Sequence, residues 1–186
     1  GQRPMALRMK EVIGMVLRKR LRKLVEAEEI LILPGAYDAL SAKLVQAAGF
    51  QAVYLTGYGQ SASKLGEPDV GLMCMSEMAE RTRDIAMAVD IPVACDADTG
   101  FGNPVNVIRT VREYERAGAA AIQLEDQTMP KKCGHMLGRQ VVPAEEMLVT
   151  TPSKVRSLMA SAVISAFWPT AMSRMSSSST SSVISR

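Results

Sequence analysis

Apolar residues at Met5, Met9, Val12, Ile13, Val16, Leu21, Leu24 and Val25 recur at helical intervals, which predicts one long helix or two short ones over residues 5–28. The run Ile30-Leu31-Ile32-Leu33, closed by Pro34-Gly35, reads as a short buried strand. From there the two patterns alternate. Helices are expected over residues 38–48, 76–89 and 104–117, and strands over 52–56, 92–96 and 120–125. Gly49 and Gly118 stand just ahead of strands, where left-handed helix C-caps belong.

The strands are continuously apolar or small, as suits parallel strands covered on both faces by helices. Such alternation predicts an α/β fold and fits a (β/α)8 barrel and an open doubly wound sheet equally. Polar residues gather after each strand, at Pro34-Gly35-Ala36-Tyr37-Asp38, Thr56-Gly57-Tyr58-Gly59, Asp96-Ala97-Asp98 and Glu125-Asp126, and both folds place active sites there. After about residue 148 the pattern changes. Thr150-Thr151-Pro152 interrupts a helix begun at Pro143, and residues 176–182 are almost all serine. The expected organisation is a helical segment over 1–28, four to five βα units over 29–148, and a divergent, poorly ordered tail over 149–186.

With 186 residues and 47% hydrophobic content, the chain can bury one core. Its net charge of +3 traces to Arg18, Lys19, Arg20, Arg22 and Lys23, which flank Leu21 and Leu24 as a solvated helix face would, so no nucleic-acid partner is expected. Cys74, Cys95 and Cys133 are spaced too widely for a disulfide framework or a paired metal clip, predicting reduced thiols and a cytoplasmic setting. No apolar run reaches the roughly 18 residues of a membrane span, and the start lacks a secretory signal. The Arg-rich start reads as a packing helix, with organelle targeting as the alternative.

Three segments carry candidate chemistry. Asp96 and Asp98 follow a buried strand at i and i+2 and so point the same way. Such hard oxygen donors suit Mg²⁺, with Mn²⁺ possible; the competing reading is a pair of turn or cap residues. Lys131-Lys132-Cys133-Gly134-His135 sets a thiol beside cations and the chain's single histidine, favouring thiolate and proton transfer, against the alternative of a small buried Cys. Thr56-Gly57-Tyr58-Gly59 offers backbone amides to a carboxylate or phosphoryl oxygen, and equally describes an ordinary turn.

In order, the segments Leu33-Pro34-Gly35-Ala36-Tyr37-Asp38-Ala39, Tyr54-Leu55-Thr56-Gly57, Gly66-Glu67-Pro68-Asp69, Asp96-Ala97-Asp98-Thr99-Gly100-Phe101-Gly102, Gln123-Leu124-Glu125-Asp126-Gln127 and Lys131-Lys132-Cys133-Gly134-His135 carry a family likeness. Over about residues 20–148 the chain resembles the isocitrate lyase and phosphoenolpyruvate mutase superfamily, particularly its 2-methylisocitrate and 2,3-dimethylmalate lyases. The resemblance implies a TIM-type barrel with Mg²⁺ at Asp96 and Asp98, and with Asp69 and Glu125 holding metal-bound water. It also implies substrate contacts from Tyr54, Thr56, Gly57, Tyr58 and the Gly134 N–H, and a catalytic set of Cys133, Lys131 and His135, the thiol acting as acid/base.

The implied reaction is a retro-aldol-type cleavage of a small 2-hydroxy di- or tricarboxylic acid that releases a 2-oxo acid such as pyruvate or glyoxylate. A phosphonomutase or 2-oxo-acid decarboxylase would share the metal site without needing Cys133, and a catalytically incomplete fragment is the third reading. Met136 stands where methylcitrate-pathway lyases carry Arg. The family's fifth-strand Arg, sixth-strand Glu and the swapped C-terminal helices of its homotetramers have no counterpart here. That loss suggests a truncated or frame-shifted coding sequence.

Overall fold

The computed structural model describes residues 5–134 and 136–150, so the expected tail beyond 150 and His135 lie outside the described residues. Met5–Val25 forms α1 as one continuous helix. Within it Leu21 is completely buried, whereas Val12, Ile13 and Val16 stay exposed.

The first strand differs from expectation. β1 is Gly35–Ala36, and the run at residues 30–33 makes no ladder. Its side chains alternate instead, with Leu31 and Leu33 packed near Leu21 while Ile30 and Ile32 face outward. An unbroken apolar run therefore concealed a one-sided segment.

The following elements fall close to their expected places: α2 (Ala39–Ala47), β2 (Val53–Leu55), α4 (Met75–Ala88), β3 (Val93–Asp96), α5 (Pro104–Ala117), β4 (Ala121–Gln123) and α6 (Ala144–Thr150). Two elements were not expected, a short α3 (Gly57–Gln60) and a single π-helical turn (Ser61–Leu65). Local chemistry explains the helix starts. Asp38 and Ser41 form a reciprocal capping box on α2, and Asn103 with Pro104 opens α5. Gly118, at φ 107°, ends α5 in the left-handed conformation that the sequence predicted.

The four strands are parallel and lie in chain order, β1-β2-β3-β4. A doubly wound sheet would reverse that order at a switch point; sequential winding is that of a barrel. One sheet face packs Val53, Leu55, Val93, Cys95, Ile122 and Leu124 against α2, α4 and α5. Each fully buried large aliphatic here contributes about 1.5–3 kcal/mol.

The other face was expected to carry helices too. It carries the small residues Ala94 and Ala121 beside Tyr54, and of the helices only α1 reaches it among the described residues, through Leu21. Register aligns Tyr54 with Ala94, and Asp96 with Gln123, on this inner face. Small side chains at mid-strand leave the functional groups clustered at the C-terminal strand ends.

Candidate metal and carboxylate site

Asp96 ends β3 and is buried. Its Oδ1 accepts the Asp98 N–H at 2.9 Å and its Oδ2 accepts the Gly57 N–H at 3.2 Å, while the Tyr114 hydroxyl donates to its carbonyl at 3.0 Å. The sharp turn after β3 puts Asp98 at φ 46°, a conformation that Asp tolerates better than most residues. Glu125 joins through its own N–H, which donates to the Asp98 carbonyl at 2.7 Å.

Lys131 occupies the centre of this group. Its ammonium, nearly inaccessible to solvent, pairs with Asp98, lies 2.8 Å from Asp69 Oδ1 and sits 3.9 Å from Glu125 Oε2. The four acids expected to cluster are thus brought together, Asp69, Asp98 and Glu125 around a lysine that sequence adjacency had assigned to the thiol and Asp96 beside them through the Asp98 N–H. Burial, and then the neighbouring Asp98 charge, push the Asp96 carboxyl up to about 7. Burial likewise raises Asp98 and Glu125, with Lys131 pulling both the other way. For Lys131 burial opposes the charged form, yet the attraction of Asp98 and Asp69 outweighs it and raises its pKa.

Four carboxyl groups stand against one ammonium in this buried cluster. That donor set suits a divalent cation. Among the described residues no three of His, Cys, Asp and Glu converge as a ready-made cage. Mg²⁺ needs none, because it takes one or two carboxylates and fills its remaining positions with water and substrate oxygens.

Facing the acids is the turn after β2. Thr56 caps α3, its Oγ1 accepting the Gly59 N–H at 3.2 Å. Gly57 is held so close to Asp96 that a Cβ on it would lie 2.5 Å from Oδ2, so only glycine brings its N–H this near. Tyr58 is exposed on the same short helix. Tyr54 reaches across the inner face to donate to Gln123 Oε1 at 3.1 Å, and burial raises the pKa of its hydroxyl.

The loop bearing Cys133 is tied to the acids by Gln127. Its Nε2 donates to Glu125 Oε2 at 2.8 Å and to the Lys132 carbonyl at 3.0 Å, and its Oε1 accepts the Lys132 N–H at 3.1 Å. Cys133 and Gly134 are partly buried. Both flanking ammonium groups have partners elsewhere, Lys131 on the carboxylates and Lys132 on the Gly138 carbonyl at 3.1 Å. Beside the cluster opens a cavity of about 610 Å³, lined by Met73, Met75, Phe101 and Met129 together with Asp98 and Lys131.

Sequence reasoning passed over Gln60, Arg81, Tyr114 and Gln127. Gln127 lay inside a recognised segment two residues beyond Glu125; the other three act across the fold and leave no local signal.

A family profile described as phosphoenolpyruvate phosphomutase matches residues 21–171. The chain belongs to the phosphoenolpyruvate mutase and isocitrate lyase superfamily. The match extends past residue 148, where the sequence reading had ended the resemblance. Over 129 residues the chain is 60% identical to 2,3-dimethylmalate lyase of Eubacterium barkeri, covering 69% of this chain and 45% of that one. It therefore spans less than half the length of this curated relative.

Among solved structures, oxaloacetate acetylhydrolase in complex with 3,3-difluorooxalacetate superposes with a TM-score of 0.72 at 39% identity, over 77% of this chain and 50% of that one. Phosphonopyruvate hydrolase in complex with oxalate and Mg²⁺ gives 0.65 at 36%, over 78% and 48%. These superfamily neighbours support the TIM-type barrel that the strand order indicates. Among the described residues no helix is long and apolar enough to cross a membrane.

Proposed function

We propose that this chain carries the metal half of a carbon–carbon lyase site acting on a small 2-hydroxy di- or tricarboxylic acid and releasing a 2-oxo acid such as pyruvate or glyoxylate. The observation that carries the reading is the cluster at the strand ends in which Asp69, Asp98 and Glu125 surround Lys131 and Asp96 stands beside them, held by the Gly57 N–H. The 60% identity to a 2,3-dimethylmalate lyase supports the substrate class.

Asp96 and Asp98 would hold Mg²⁺, or Mn²⁺, with Asp69 and Glu125 fixing its water. When bound, the cation supplies charge stabilisation to the developing 2-oxo acid. The chain's own groups do the rest. Thr56, Gly57 and Tyr58 hold a substrate carboxylate, together with Tyr54 and the Gly134 N–H. Cleavage breaks the bond between the hydroxyl-bearing carbon and its neighbour as the hydroxyl gives its proton to water and becomes the 2-oxo group. The electron pair passes to the neighbouring carbon, where Cys133 delivers a proton. Lys131 balances the buried charge.

A phosphonate-cleaving or phosphonate-forming reaction is the second reading, favoured by the profile's own description and by the phosphonopyruvate hydrolase neighbour. Cys133→Ser separates the two. Loss of 2-oxo acid release from dimethylmalate-type acids supports the lyase, whereas undiminished turnover of a phosphonate substrate supports the alternative.

A further inference from the structure

Away from the carboxylates, one charged side chain of α4 reaches back to the strand ends. Arg81 donates through Nε to Gln60 Oε1 at 2.8 Å and through Nη2 to the Tyr37 carbonyl at 2.9 Å. Gln60 Nε2 donates to that same carbonyl at 2.9 Å. The triangle joins the end of β1, the end of α3 and the face of α4.

Gln60 is completely buried and is the last residue of α3, where its N–H donates to the Thr56 carbonyl at 3.1 Å. A buried carboxamide has two orientations, related by a flip. Arg81 has donors and no acceptor, so it fixes Oε1 toward α4 and leaves Nε2 to Tyr37. Packing passes the constraint on. A Cβ on Gly59 would lie 2.5 Å from Thr56 Cγ2 and 3.0 Å from Tyr37 Cβ, so the turn has no slack between these neighbours.

Resting on the lyase reading, we infer that Arg81 is a positioning residue for the carboxylate-holding segment Thr56-Gly57-Tyr58, acting through Gln60. It touches no substrate. It holds the helical turn whose first amide is aimed at Asp96, so that the turn's free donors meet a substrate carboxylate in fixed geometry. The planar guanidinium serves two acceptors at once, which a lysine ammonium on a flexible stem does not reproduce.

Calorimetric titration of the full chain with oxalate at saturating Mg²⁺ tests this, using wild type, Arg81→Lys, Arg81→Met, Gln60→Leu and the Arg81→Met/Gln60→Leu double variant. Either Arg81 substitution is expected to weaken oxalate binding by about tenfold, with the double variant no weaker than Gln60→Leu alone, as for two residues acting through one another. Mg²⁺ affinity measured without oxalate should stay within about twofold of wild type, a split that a general loss of structure would not give. Arg81→Lys keeps the charge at a half-buried position, so its result stands even if Arg81→Met folds poorly. Wild-type oxalate affinity in Arg81→Lys, or an equal loss of Mg²⁺ affinity, overturns the inference and leaves the lyase reading intact. A wild-type chain that takes up Mg²⁺ but no oxalate overturns that reading and the inference with it.

Discussion

The Gly57 amide and the Asp96 carboxylate, 39 residues apart in sequence, meet at 3.2 Å. The contact joins the turn proposed to hold substrate to the carboxylate proposed to hold the cation. It requires the missing side chain, since a Cβ would lie 2.9 Å from Asp96 Cγ. Gly57→Ala is therefore expected to push Asp96 aside, lowering stability by about 1–3 kcal/mol and weakening Mg²⁺ binding. Thermal melting and a Mg²⁺ titration check both effects; unchanged Mg²⁺ affinity would show that the carboxylate's position does not matter.

Lys131 balances Asp69 and Asp98 from a buried position. Replacing it with Met leaves those charges without their cation, and a destabilisation of about 3–5 kcal/mol is expected for the metal-free protein. Added Mg²⁺ should raise the melting temperature of this variant more than that of wild type. An equal rise in the two proteins would argue that the ammonium and the metal answer to different charges.

The raised Asp96 carboxyl sets a pH dependence. Folded, it holds a proton up to about 7, whereas the unfolded chain releases it near 3.8, the ordinary value for an aspartate. Between those values the folded state binds more protons, so metal-free stability falls as pH rises through this window and levels off above it. Asp98 and Glu125 are shifted in the same direction and add to the fall. Melting in chelator across this range checks the slope, which Asp96→Asn should flatten; stability that climbs with pH would refute the assignment.

Much of this was legible beforehand, and the exceptions have physical causes. Asp96, Asp98 and Glu125 stood out because they end or closely follow buried strands, where polar residues are conspicuous against an apolar background. Lys131 was misplaced because adjacency in sequence linked it to Cys133, while the fold turns it onto Asp69, 62 positions earlier. The helix α3 was hidden because Gly57-Tyr58-Gly59 reads as a turn, and its helicity depends on the Thr56 cap and the buried Gln60. Arg81 and Gln60 meet across 21 residues with no periodic pattern to announce them.

Tyr114 supports β3 from α5, donating to the Asp96 carbonyl from a fully buried position. Tyr114→Phe removes only that bond and is expected to cost about 1 kcal/mol, read as a lower denaturant midpoint with an unchanged slope. A midpoint equal to that of wild type would mean that the carbonyl is satisfied without the hydroxyl.

The most direct test of the central claim is release of pyruvate or glyoxylate by the purified chain from isocitrate-, methylisocitrate- and dimethylmalate-type acids, with and without Mg²⁺, and with Asp96→Ala as control. The account predicts release that requires Mg²⁺ and disappears in Asp96→Ala. A well-folded chain that binds Mg²⁺ and releases neither product from any of these acids would contradict it.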